Sequence, residues 1–240
     1  MEPQSAPGAF LMAEWRWLVM LNYEVERDLL LSRVPPGTEL DSWSGRHFVS
    51  IVGFRFLNTR LFGVAVPFHR DFDEVNLRFY VRRRAPDGWR RGVAFVREFV
   101  PRAALAAVAR LAYGEPYTAV PMRHSVEPEL GHVRYEWLYE GQWCALETSF
   151  GGEARLPDEG SLEAFLVEHY WGYTSRRGGS SEYRVEHPPW KLWAATAASL
   201  KCDVASLYGC EFVAPLSGSP ATAFVADGSE VTVRGGVRVA

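Results

Sequence analysis

The sequence is almost without lysine. Lys191 and Lys201 are the only two, and the other basic residues are arginines. Imine catalysis needs a lysine amine, so it has only these two places to begin. Cysteine is also scarce. Cys144, Cys202 and Cys210 are odd in number, contain no C-x-x-C and match no zinc pattern. A reduced, cytoplasmic compartment is the simplest reading. No apolar run approaches the roughly 18 residues of a membrane helix, and the first residues lack the basic start and short apolar run of a secretory signal. The formal charge of −3 comes without a concentrated basic stripe, so there is no nucleic-acid signal. Gly151-Gly152 and Gly178-Gly179 lack nucleotide-loop spacing, and no G-x-S-x-G elbow occurs. The six histidines are scattered, with no i, i+4 pair on an expected helix, and no metal or other cofactor is expected.

Apolar and aromatic residues are plentiful, at 48% and 14%, enough for a sizeable core. Residues 1–9 read as a frayed leader and 10–240 as one domain, with no repeat and no dividing linker. Residues 14–23 are apolar on both parities and rich in tryptophan and valine, which favours a buried strand. Residues 24–34 carry a helical spacing that Pro35-Pro36-Gly37 ends. Strands are expected at 39–43 and at 46–57, with Gly53 a bulge or close-approach point and a partner strand at 60–66. Ala85-Pro86-Asp87-Gly88 is a turn joining the strand that follows Asp73 to a partner at 92–99. Residues 101–113 read as a helix opened by Pro101. Strands then fall at 117–126, 132–140 and 142–149, and a helix at 161–170 is capped by Ser161. Residues 176–181 read as a flexible loop, and 182–187 with 190–197 as a β-ribbon. The tail reads as short strands around Phe212 and Phe224 and at 230–233. Many short strands with interspersed helices indicate an α+β, mainly β, barrel-like domain.

One stretch stands out. In residues 74–82 the chain alternates strictly, with Glu74, Asn76, Arg78 and Tyr80 on one face and Val75, Leu77, Phe79 and Val81 on the other. A half-exposed strand and a barrel strand with a polar lumen both read this way. On a solvated face, Glu74 and Arg78 are ordinary surface charges. Enclosed, Arg78 is a fixed cation able to hold a carboxylate or enolate oxygen bidentately. Glu74 is then an acid or base whose pKa is set by burial against Arg78. The run Arg82-Arg83-Arg84 reads as the solvated end of the strand.

The block FDEVNLRFYV at 72–81 resembles the YqjF-like family of uncharacterised bacterial proteins. So do Leu29 to Pro35 with Leu40-Asp41, Val49 to Phe56, Ala109 to Tyr113 with Pro116-Tyr117, Met122, Phe165-Leu166 with Tyr170, and Val185 to Trp190. The resemblance spans residues 11–230. That family is similar to acetoacetate decarboxylase, which implies a cone-shaped antiparallel β-barrel with a few helices packed outside and a ligand cavity within. It also implies that the polar row faces the lumen. In the decarboxylase a lysine pair follows a Gly-x-Pro segment. Here Tyr117 and Thr118 follow Gly114-Glu115-Pro116, so the Schiff-base lysine is missing.

Three functions follow. The first is a domain that binds a small anionic or carbonyl-bearing ligand, for instance a carboxylate, with Glu74, Asn76, Arg78, Tyr80, Tyr117, Arg123 and His124 as its polar contacts. The second is a lyase, hydratase or isomerase of non-imine type, with Glu74 moving a proton and Arg78 stabilising an oxyanion. The third is a non-catalytic interaction or sensor module whose polar row only locks the core. Partners are a small molecule and neither nucleic acid nor membrane, and homo-oligomer formation stays open on the aromatic content.

Overall fold

The computed structural model of the chain describes residues 8–65, 70–101 and 116–239. Its long strands carry apolar residues on both parities: β1 (Ala9–Val25), β2 (Glu39–Leu40) as a short edge piece, β3 (His47–Leu61), β4 (Val64–Ala65), β5 (Phe72–Ala85) and β6 (Gly88–Val100). A strand buried on both parities needs cover on both faces, and the topology supplies it. β1, β3, β5 and β6 lie side by side. β6 continues to β11 (Trp171–Arg176) and β12 (Gly179–Glu186), and β14 (Thr222–Arg234) pairs with both β12 and β1. These strands close into a ring, antiparallel throughout except between β6 and β11. From β14 the sheet runs on through β13 (Leu192–Lys201), β10 (Gln142–Phe150), β9 (His132–Tyr139) and β8 (Met122–Glu127).

That extension covers the outside of the ring. Val75, Leu77, Phe79 and Val81 of β5 share a core with Tyr135, Trp137 and Leu146 of β9 and β10 and with Tyr208 and Phe212. The opposite parity of β5 belongs to a second core, where Phe72 and Tyr80 join Met20, Phe54, Phe56, Phe165 and Trp190. Both faces of β5 are therefore dry, and the polar row lies on the face turned into the ring.

The loop chemistry follows the sequence at several points. Asp87 and Gly88 close the β5–β6 hairpin, with Ala85 opposite Gly88. Ser161 accepts a hydrogen bond from the Ala164 amide and caps the helix Leu162–Val167. Gly53 is a point of close approach. A Cβ there would sit 2.7 Å from Tyr135 Cδ2 and 3.0 Å from Leu146 Cδ2. The bulge lies on β1 opposite, between Arg16 and Val19, where Trp17 takes a φ of 55°.

Other expectations are corrected. The first helix spans only Arg27–Leu31. Arg60 and Leu61 extend β3, and Val64–Ala65 turns back onto them. The stretch expected as one strand at 117–126 breaks at Pro121, which has no amide proton to give a ladder, into β7 (Tyr117–Ala119), parallel to β6, and β8, which joins β9. Residues 176–181 form a tight hairpin between β11 and β12, not a loop, with Gly178 at a φ of 77°. β12 and β13 do not pair as a ribbon; β13 lies between β10 and β14. Phe212 sits in a 3-10 turn, and Phe224 and Val233 belong to the single strand β14. Arg83 is not solvated, because it binds the buried Glu182 at 2.6 Å. The helix expected at 101–113 lies outside the described residues beyond Pro101, as does most of the leader; Ala9 already pairs with Arg234.

Gly53→Ala tests the contact between ring and outer layer. Overpacking a tight site costs about 1–3 kcal/mol, so the urea midpoint should fall with an unchanged slope. Gly151→Ala, with nothing within 4 Å of its added Cβ, is the control and should leave the midpoint where it is.

Candidate functional site

Inside the ring the packing is incomplete. A cavity of about 130 Å³ is lined by apolar and aromatic side chains of β1, β3 and β6 and by one group of polar ones. Native interiors keep few voids larger than a water molecule, so a cavity of this volume stands out from ordinary packing.

β5 delivers the polar group. Glu74 and Asn76 line the cavity and are only 3% and 2% exposed, and Arg78 lines it half-buried. Asn76 Nδ2 donates to Glu74 Oε1 at 2.9 Å, and the Tyr117 hydroxyl donates to Glu74 Oε2 at 3.1 Å. Burial pushes the Glu74 carboxyl up to about 7; the bonds from Asn76 and Tyr117 and the charge of Arg78 oppose this without overcoming it. Arg78 Nη2 donates to the Leu166 carbonyl at 3.3 Å, and its guanidinium carbon lies 5.9 Å from the Tyr80 ring centroid. Its Nε has no hydrogen-bond partner, and no carboxylate is within ion-pair distance of Arg78 among the described residues.

Three expected contacts lie elsewhere. Tyr80 is buried beneath the cavity. Its hydroxyl is 2.5 Å from Ser50 Oγ, and because Ser50 donates to Asn22 Oδ1, Tyr80 donates to Ser50. Arg123 and His124 leave with β8 for the outer layer. Arg123 pairs with Glu136 and lies over the Trp143 ring, and His124 Nδ1 meets Asp73 Oδ2 at 2.9 Å. Neither lines the cavity. Tyr117, on β7, does.

Glu98, His169, His187 and Thr59 also line the wall. Glu98 is 1% exposed and opposite Asn76. His169 Nε2 donates to Asp41 Oδ2 at 3.4 Å, which leaves Nδ1 without a partner. Burial holds the His169 imidazole down at about 4, so it is neutral at neutral pH. His187 Nδ1 donates to the Pro188 carbonyl and its ring stacks on Trp190 at 4.0 Å; burial lowers its pKa too. Lys191 and Lys201 are exposed and away from the cavity. Among the described residues no group of His, Cys, Asp and Glu side chains could hold a metal ion, and no helix is long and apolar enough to cross a membrane.

Residues 12–230 match the model of the DUF2071 family, described as an uncharacterised conserved protein. The uncharacterised protein YqjF of Bacillus subtilis (strain 168) is 25% identical over 198 residues, covering 79% of this chain and 78% of its own. Among solved structures, acetoacetate decarboxylase from Legionella pneumophila superposes with a TM-score of 0.69 at 15% identity, covering 100% of this chain and 91% of that one. The enduracididine biosynthesis enzyme MppR complexed with pyruvate superposes at 0.66 and 12% identity, covering 100% and 93%. At such identities these structures establish the acetoacetate decarboxylase-like fold.

The burial of Glu74 has a signature in pH. Between its ordinary value of 4.5 and about 7, the folded protein holds a proton that the unfolded chain has lost. The contribution is therefore fully present below 4.5 and is lost as pH rises through 7, by on the order of 3 kcal/mol. Glu74→Gln lacks this loss. Its unfolding free energy relative to wild type should rise by about that amount from pH 4.5 to 7. A pH-independent difference would show that Glu74 titrates like a solvated carboxyl.

Proposed function

The chain belongs to the DUF2071 family of uncharacterised conserved proteins, and we propose that its ring cavity binds a small anionic or carbonyl-bearing molecule through Arg78. The observation that carries this reading is a half-buried guanidinium on a cavity wall with no carboxylate partner among the described residues. Such a cation is stabilised by an anion, and its planar fork suits a carboxylate. Asn76, Tyr117 and Glu74 complete the polar end. The pyruvate complex of a protein with the same fold supports a small oxo acid or carboxylate as the ligand class. An imine route is disfavoured, because neither lysine of the chain lies at the cavity.

A second reading makes this an enzyme of non-imine type. It is favoured by the burial of Glu74, which pushes its carboxyl up to about 7, near the operating pH of a proton carrier. Arg78 then stabilises the developing oxyanion. The cavity also weighs against a module whose polar row serves packing alone.

Thermal-shift and calorimetric titrations with small carboxylates, 2-oxo acids and uncharged analogues test the first reading. A ligand at about 100 times its dissociation constant stabilises the folded state by roughly 2.7 kcal/mol. Carboxylates should stabilise the wild type, and Arg78→Ala should weaken them at least about tenfold, the loss of one charge-assisted bond. Equal responses in both proteins would sink it. For the second reading, once a turned-over substrate is found, Glu74→Gln should cut kcat by about 10²–10⁴ with binding retained. Unchanged turnover would exclude Glu74 as the proton carrier.

A further inference from the structure

The polar end occupies only part of the cavity. Along β3 the wall changes character in register with β5. Ser50 lies opposite Arg78, Phe54 opposite Glu74 and Phe56 opposite Phe72. Beyond Phe56 the cavity wall is apolar except for Thr59, running to Leu61, which pairs with Leu11 of β1. Trp15 stands between the two walls, 5.2 Å from Phe54 and 6.3 Å from Trp190 by ring centroids. Phe56 stacks on Phe72 at 4.5 Å. The apolar wall reaches the surface at Phe10, whose ring meets Phe62 at 5.0 Å, and Phe62 is 73% exposed.

These rings do not fill the space they enclose. A close-packed aromatic core would leave no hole. Thr59 Oγ1 and Trp15 Nε1 offer a water two polar partners at most at this end, fewer than the three a buried water typically makes. An apolar cavity of about 150 Å³ in another protein stays dry and accepts benzene; the cavity here is about 130 Å³ with its polar end included, so the group beside the carboxylate is smaller than a benzene ring.

We propose that the ligand is a carboxylate with an apolar alkyl tail of roughly three to four carbons, whose tail lies against Trp15, Phe54, Phe56, Phe72 and Trp190. This rests on the carboxylate reading of Arg78 and adds the substrate class. A two-carbon or three-carbon acid satisfies the polar end and leaves the aromatic wall without contacts. A longer tail removes apolar surface of both partners from water, and each buried methylene adds to affinity until the cavity is filled.

Calorimetric titration of the full chain with acetate, butanoate, hexanoate and 3-phenylpropanoate, with 1-hexanol as the uncharged control, tests the proposal. The dissociation constant should fall about three- to fourfold per methylene from acetate to butanoate and level off by hexanoate. Phe56→Ala should lower the hexanoate-to-acetate affinity ratio at least about fivefold, by removing the ring a tail would touch. Leu61→Glu, at a half-buried position that a folded chain tolerates more readily, should lower the same ratio in the same direction. Carboxylates that bind with no dependence on tail length would overturn the proposal and leave the Arg78 reading standing. Binding of 1-hexanol with no carboxylate binding would overturn both. Unchanged ratios in both variants would overturn the placement of the tail.

Discussion

The structure depends on where a carboxylate finds enough donors to stay ionised out of water. Two buried glutamates show the contrast. Glu182 is fully shielded, and burial pushes its carboxyl up, but bonds from Arg83, Tyr173 and Arg90 outweigh burial and hold it below the ordinary range. Glu74 is equally dry, yet among the described residues only the neutral donors Asn76 and Tyr117 reach it, and burial wins. The first is a structural clamp; its partners on β5, β6 and β11 tie that side of the ring together. The second is a group left poised, beside an arginine without a carboxylate partner among the described residues. A fold that pairs Arg83, Arg90 and Arg91 with buried acids and leaves Arg78 facing a cavity has separated its structural cations from an available one.

The surroundings keep this arrangement stiff. Below the cavity, Tyr80, Ser50 and Asn22 form a hydrogen-bonded chain that ends on the Thr222 carbonyl and links β5, β3, β1 and β14. To one side, Asp41 accepts from Arg91 at 2.7 Å and from His169. Burial tends to raise the Asp41 carboxyl, but the bonds from His169 and Arg91 bring it down to about 2. Burial keeps His169 neutral, and the bond to Asp41 fixes its tautomer, with the ring against Tyr80 at 4.7 Å. Satisfied polar networks of this kind hold side chains in one arrangement in a low-dielectric interior.

The alternation of residues 74–82 made the two faces of β5 legible, and the family resemblance made the fold legible. Alternation alone did not say which face turns inward, because both faces are buried and both sit on apolar neighbours. Glu98 escaped notice for a related reason. β6 shifts register between the partners of Leu77 and Arg78, so Phe95 and Glu98 line the cavity although their parities differ. Period-two reading fails across such a bulge. His169 comes from a connection whose fold no local periodicity encodes. One continuous strand over 117–126 would put Arg123 and His124 with Tyr117, and Pro121 breaks it.

Enclosure of the polar row in a water-poor cavity is the claim on which the rest stands. The direct measurement is a carboxyl-carbon NMR titration of Glu74, assigned by difference from Glu74→Gln. A midpoint near 7 is the expected result. A midpoint near the ordinary 4.5 would contradict the account, because it would mean that Glu74 meets bulk water and that the ring does not enclose the row.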